Sequence, residues 1–265
     1  MTEQAMGLLF DMSVCWGCRA CVHACMEKQG FEGDPEQVTE LSATAYTAMT
    51  EVDDYPVRNM CRHCVEPSCA SVCPVGALQK SDLGPVTYDA SKCMGCRYCM
   101  VACPFSIPRY EWDEPVPMVR KCDMCIDRWE AGEIPACAAI CPAEATVAGP
   151  REELLAEARR RIEDDPDSYY PHIYGEYEVG GTSVLFLTPF AVPMLGYSAE
   201  LGNEPLPNRT WEVLEWIPKF SVTACAGLAA FAWVIRRRNE GILRRAAQQA
   251  VAAGPAAGDG REGVN

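Results

Sequence analysis

Cysteine is the residue in this chain whose type and spacing could do chemistry: sixteen of its seventeen cysteines fall into four blocks of four. The blocks are Cys15-x2-Cys18-x2-Cys21-x3-Cys25, Cys61-x2-Cys64-x4-Cys69-x3-Cys73, Cys93-x2-Cys96-x2-Cys99-x3-Cys103 and Cys122-x2-Cys125-x11-Cys137-x3-Cys141. Thiolate sulfur is a soft ligand, suited to zinc and to iron–sulfur clusters. Zinc sites draw their ligands as two separated pairs, whereas here closely spaced cysteines recur with a fourth at a fixed offset. Disulfide scaffolds are usually small secreted domains, and bridging alone requires no such run. The spacing therefore predicts iron–sulfur clusters and, with them, electron transfer. Cys225, outside the blocks, sits in an apolar segment and reads as a small buried hydrophobe.

The third block, followed by Pro104, has the spacing of bacterial ferredoxins, where three cysteines hold one cubane and the fourth ligates the other cluster of a pair. Cysteines two residues apart lie on a tight loop and can converge on three corners of a cubane, while the fourth points away. Gly17 and Gly95 each precede the second cysteine of their block, where a side chain would hinder close approach of backbone to sulfur. Pro74, Pro104 and Pro142 follow the last cysteine of three blocks and restrict how the turn continues. Met26 stands there in the first block, so its exit path should differ. His23 and His63 lie inside blocks, where imidazole could tune a cluster from behind its ligands or merely fill a spacer position. Arg62, Lys92, Arg97 and Lys121 also flank cysteines; positive charge there would raise a potential, although solvated surface charge is the simpler account. Which blocks share a pair of clusters is left open by chain length.

The stretches FDMSVCWGCRACVHAC, CRHCVEPSCASVCPVGAL, CMGCRYCMVACPF and KCDMCIDRWEAGEIPACAAICP, within residues 6–145, carry a resemblance. They are similar to the four-cluster iron–sulfur beta subunits that accompany molybdopterin oxidoreductases, formate dehydrogenases among them, and membrane-bound uptake hydrogenases of the nickel–iron type. That resemblance implies an α+β fold of two nested bacterial ferredoxin-like units with a C-terminal single transmembrane helix. The outer unit would take residues 1–35 and 113–165, the inner one residues 56–112. It also implies the ligand sets: Cys15, Cys18, Cys21 and Cys141 on one cluster; Cys122, Cys125, Cys137 and Cys25 on a second. Cys61, Cys64, Cys69 and Cys103 would hold a third, and Cys93, Cys96, Cys99 and Cys73 a fourth. All sixteen ligands are present, which argues for four 4Fe-4S clusters as cofactors.

The elements that must position these cysteines are short. Residues 7–11 read as a strand entering the first block, and 77–80 with 86–88 as a hairpin between the second and third. Residues 26–56 show no clear periodicity and read as a surface insertion or a partner-facing excursion. Residues 151–164 place Leu and Ile on one helical face, between Pro150 and Pro166. An irregular Tyr-, Gly- and Pro-rich extension is expected over 166–210, with a strand at 183–187; its apolar run to Leu195 is too short to cross a bilayer.

Residues 216–235, WIPKFSVTACAGLAAFAWVI, carry one charge, Lys219, and as a helix span about 30 Å, close to a hydrocarbon core. A transmembrane anchor is expected over 211–238, with Trp211, Trp216 and Trp233 near its ends. Glu200, Glu204, Glu212 and Glu215 precede it, while Arg236, Arg237, Arg238, Arg244 and Arg245 follow. By the positive-inside rule the C-terminus is cytoplasmic and the cysteine region lies on the periplasmic or outer face. The opening MTEQAMGLLFDMSVC has neither a secretory nor a twin-arginine pattern. Co-export with a signal-bearing partner is the expectation that follows. Residues 246–265 read as a disordered tail.

With 37 acidic and 23 basic residues and a net charge of −14, phosphate repulsion excludes nucleic acid as a partner. No nucleophile constellation or phosphate-cradling motif is present, so the chain reads as a non-catalytic electron-transfer subunit. Its expected partners are a catalytic large subunit, molybdopterin or nickel–iron, and an integral membrane quinone-reactive subunit. The alternatives are a subunit of a sulfur-compound or other terminal reductase running electrons from quinol, a soluble polyferredoxin, and a zinc-stabilised scaffold.

Overall fold

Strand β1 (Met6–Asp11) buries Leu8, Leu9 and Phe10, and so needs cover on both faces. It is the middle strand of a three-stranded sheet in the computed structural model, which describes residues 5–191 and 201–252. On one edge β8 (Thr146–Pro150) runs antiparallel, with Met6 opposite Pro150 and Phe10 opposite Thr146. On the other, β9 (Val184–Leu187) runs parallel, with Leu8 beside Val184 and Phe10 beside Phe186. Side chains alternate across such a sheet. Leu9, Leu185 and Leu187 therefore meet Leu154, Leu155 and Ala158 of helix α6 (Arg151–Asp164), while Leu8, Phe10, Val184 and Phe186 join the core that carries the cysteines.

Three hairpins supply the rest of the strand content among the described residues. They are β2 (Thr47–Val52) with β3 (Tyr55–Met60), β4 (Leu78–Lys80) with β5 (Val86–Tyr88), and β6 (Arg109–Tyr110) with β7 (Val119–Arg120). Each cysteine block begins shortly after a strand ends: β1 precedes Cys15, β3 precedes Cys61, β5 precedes Cys93 and β7 precedes Cys122. Within the blocks the chain turns into short helices, α1 (Ala20–Gln29), α2 (Ser68–Ser71), α3 (Tyr98–Ala102), α4 (Ile126–Glu130) and α5 (Ala136–Ala139). α1 packs on α5 and α2 on α3, so the first block meets the fourth and the second meets the third.

Two stretches differ from the sequence reading. Residues 47–60 are a core hairpin rather than a surface insertion, with Thr47, Ala48, Met49 and Val57 buried. Its turn residues Asp53 and Asp54 have φ of 49° and 65°, the geometry of a two-residue type I′ hairpin. The extension after residue 166 is more than irregular cover: Ile173, Tyr174, Val179 and all of β9 are buried. The apolar run there ends, for the described residues, at 191; its Pro193 and Leu195 lie outside them.

A second unit, Thr210–Asn265, takes in most of α7 (Leu206–Leu214) and all of α8 (Trp216–Ala252). This helical stretch is long and apolar enough to cross a membrane, with an 18-residue window of mean hydropathy 1.4. Lys219 sits at its start, 3.7 Å from Glu215 and over the Trp216 ring, and Arg237 lies over Trp233 at the far end of the apolar run. Cys225 is exposed on α8 rather than buried, because this helix packs around no core of its own. Residues 246–252, expected as tail, continue α8, in keeping with the helix propensity of Ala and Gln. Residues 253–265 lie outside the described residues.

Candidate iron–sulfur sites

The four blocks share one backbone device. The residue before the second cysteine lies in the left-handed region in every block: Gly17 (φ 73°), His63 (φ 48°), Gly95 (φ 72°) and Met124 (φ 56°). Glycine adopts this region freely, and His and Met adopt it at a cost of about 1 kcal/mol. At Gly95 a Cβ would also lie 3.0 Å from the Tyr110 hydroxyl. Past the fourth cysteine, the turn imposed by proline brings the amide four residues on back to sulfur: Ala77 N–H donates to Cys73 Sγ at 3.2 Å and Ile107 N–H to Cys103 Sγ at 3.5 Å. Met124 N–H likewise donates to Cys122 Sγ at 3.3 Å.

The cysteines gather across blocks rather than within them. Cys15, Cys18, Cys21 and Cys141 line one cavity, walled by Phe10, Trp16 and Thr146. Cys25, Cys122, Cys125 and Cys137 line a second, with Thr47, Arg58 and Met60 in its wall. Cys73, Cys93, Cys96 and Cys99 line a third beside Tyr88 and Val119. Cys64 lies near Cys61, Cys103 and Cys69, which form the remaining set. The sets adjoin in series through Cys21 and Cys137, Cys122 and Cys61, and Cys69 and Cys99. The two exposed members, Cys18 and Cys96, belong to the two end sets. Among the described residues no three Cys, His, Asp or Glu side chains converge tightly enough for a single metal ion.

Burial, and after it mainly the like charge of neighbouring thiolates, pushes Cys15, Cys99 and Cys125 up to about 11 and Cys69 up to about 12. Such thiols ionise together only when positive charge enters among them, which coordinated iron supplies. Cys73 departs from this pattern: burial raises it, but N–H donation from Leu78, Val75, Ala77 and Gly76 outweighs burial and lowers it. Buried thiols around cavities, amides aimed at sulfur and cations alongside fit a cluster as the occupant.

The flanking groups sort unevenly. Arg62 is buried with its guanidinium 3.8 Å from the Phe186 ring centroid and about 6 Å from Phe105 and Tyr174. Lys121 is buried and donates to the Val86 and Cys122 carbonyls. His63 is fully buried; its Nδ1 accepts from Val86 N–H at 2.8 Å, and burial, with Lys121 and Lys80 nearby, holds its pKa well below the usual value. His23 is exposed beside Glu27, Lys92 pairs with Asp89 at the surface, and Arg97 lies over the rings of Tyr110 and Trp112. Two cations escaped sequence reasoning. Lys80 Nζ donates to the carbonyls of His63 (3.2 Å) and Cys64 (2.8 Å), and burial pushes it down to about 8. Arg58, at 1% exposure, lies between the first two sets. Arg58 stands three residues before Cys61 and Lys80 seven after Cys73, and neither adjoins a cysteine as the flanking cations do; an arginine facing inward from a strand is the only signal, and it needs the hairpin to be seen.

A family model for a 4Fe-4S dicluster domain matches residues 52–151, which takes in the last three blocks. The chain is 37% identical over 281 residues to the hydrogenase-2 operon protein HybA of Escherichia coli O157:H7, covering 89% of this chain and 85% of that protein. The chain belongs to the 4Fe-4S dicluster family. Its other relatives include a protein of Nitratidesulfovibrio vulgaris, 38% identical over 277 residues with 97% and 75% covered. The nitrate-inducible formate dehydrogenase iron–sulfur subunit of Escherichia coli K12 is 34% identical over 246 residues, with 86% and 82% covered.

Proposed function

We propose that this dicluster-family chain is the electron-transfer subunit of a membrane-bound oxidoreductase and holds four 4Fe-4S clusters. The ligand sets are Cys15, Cys18, Cys21 and Cys141; Cys25, Cys122, Cys125 and Cys137; Cys61, Cys64, Cys69 and Cys103; and Cys73, Cys93, Cys96 and Cys99. The observation that carries the reading is the series of four cysteine sets with exposed members, Cys18 and Cys96, at its two ends. Bound 4Fe-4S clusters supply one-electron carriers whose potentials follow charge, hydrogen bonds to sulfur and exposure. The chain's own part is to space, bury and electrostatically bias them. Packing of α1 on α5 and of α2 on α3 favours two nested ferredoxin-like units.

The similarity to HybA and to a formate dehydrogenase subunit favours a hydrogenase-like or formate dehydrogenase-like catalytic partner, with quinone-side electron exchange through a membrane subunit against α8. Catalysis on substrate belongs to that partner. The arginines after residue 235 favour a cytoplasmic C-terminus and a cluster region on the outer face. The test is anaerobic purification of the intact complex from membranes. About sixteen irons per chain, on the four-cluster stoichiometry, with reducible 4Fe-4S signals and a co-purifying molybdopterin or nickel–iron subunit are expected. Zinc in place of iron, or a lone chain in the soluble fraction, overturns the reading.

A further inference from the structure

Arg58 projects from β3 into the core, where it is buried to 1% exposure, as Leu8 and Phe10 are. Its Nε donates to Thr47 Oγ1 at 2.9 Å and one terminal nitrogen to Thr146 Oγ1 at 3.1 Å. Those two threonines belong to different sites: Thr47 is in the wall of the cavity around Cys25, Cys122, Cys125 and Cys137, and Thr146 in the wall of the cavity around Cys15, Cys18, Cys21 and Cys141. The guanidinium also lies near the sulfurs of Cys137, Cys21 and Cys25. A buried cation is costly unless an anion accompanies it. Among the described residues no carboxylate forms an ion pair with Arg58, and the acidic groups around it are the sulfurs of the two outer sets.

We propose that Arg58 is a shared electrostatic bridge between the two outer clusters, holding the reduction potentials of both above what their buried thiolates would otherwise set. It is a positioning residue, since it acts through the ligands and their field. The planar, always-charged guanidinium suits the place: two hydroxyls fix its plane, and the third edge is left to face sulfur. A cation midway in the outer pair favours the reduced form of either cluster, and adding an electron to one weakens its pull on the next. The two outer potentials are therefore coupled through this side chain, while the set of Cys61, Cys64, Cys69 and Cys103 has its own neighbouring cations, Lys80 and Lys121.

The inference rests on the four-cluster reading, and iron content separates the two. Membranes carrying the intact complex with Arg58→Gln or Arg58→Lys are titrated potentiometrically with electron paramagnetic resonance detection, alongside the unaltered complex. In Arg58→Gln, two of the four clusters are expected to lose at least tenfold in reduced-to-oxidised ratio at a fixed potential, equivalent to about 59 mV for a one-electron couple. The other two are expected to stay in place, and Arg58→Lys to restore most of the shift. Failure of Arg58→Gln to assemble clusters, with Arg58→Lys assembled and unshifted, also supports a need for the charge. The proposal is overturned if Arg58→Gln retains all its iron with unmoved potentials, if all four clusters shift alike, or if Arg58→Lys fails or shifts as far as Arg58→Gln. Far fewer than sixteen irons in the unaltered complex would instead sink the four-cluster reading.

Discussion

Asp11 closes the sheet onto its covering helix with one carboxylate. It is fully buried; one oxygen accepts from Arg161 at 2.8 Å and from the Tyr169 hydroxyl at 2.9 Å, and the other from Ser13 N–H at 3.0 Å. Three segments distant in sequence thus meet four residues before Cys15. Removing one member of a buried ion pair costs about 3–5 kcal/mol, because the remaining charge loses its partner; with Arg161 one-fifth exposed, the lower end applies. Asp11→Ala is expected to lower stability by about 3 kcal/mol, read as a drop in the temperature at which cluster absorbance disappears, with Cys15 the first ligand affected. An unchanged transition would mean that the sheet, and not this carboxylate, holds the first block. At this scale the cysteines were legible because ligation demands a residue type at a spacing. Asp11, Arg58 and Lys80 were not, because a charge is buried by segments that the sequence does not bring together.

The β2–β3 hairpin is the element that sequence patterning hid, and the reasons are physical. Thr47, Ala48 and Met49 are buried in succession, so both faces of the strand are covered and the two-residue alternation vanishes. Its turn is Asp-Asp instead of the Asn-Gly that marks a type I′ hairpin. Arg19 anchors it further, donating to the carbonyls of Val38 (2.9 Å) and Met49 (3.1 Å). By contrast α6 was legible to the residue, since one apolar stripe against a charged face survives wherever the helix packs. Replacing Asp53 and Asp54 together by Asn and Gly relieves left-handed strain at the turn and is expected to add about 1 kcal/mol. The check is a rise in the temperature of cluster loss; a fall would indicate that the aspartates make contacts that matter more than turn geometry. Strands as short as β6 and β7, two residues each, offer no pattern at all and are set by the loops that hold them.

At the scale of the whole chain, a cysteine region whose thiols gather across blocks is joined to a helix with no core of its own. The twenty apolar residues were visible from composition alone, but composition does not say where the helix ends, and α8 runs on past the arginine cluster to Ala252. With a mean hydropathy of 1.4 in its best window, the helix sits only modestly on the apolar side, so a single charge near its centre decides its partition. On the insertion scale a central Leu contributes about −0.5 kcal/mol and Arg about +3, so Leu228→Arg swings the balance by roughly 3–4 kcal/mol. Alkaline carbonate washing of membranes is then expected to release most of the Leu228→Arg chain and little of the unaltered one. Gln248→Arg, placed beyond the apolar run on the same helix, serves as the control and is expected to stay in the pellet. Equal retention of both variants would mean that α8 lies against other protein instead of crossing lipid, and that membrane attachment is borrowed from a partner subunit.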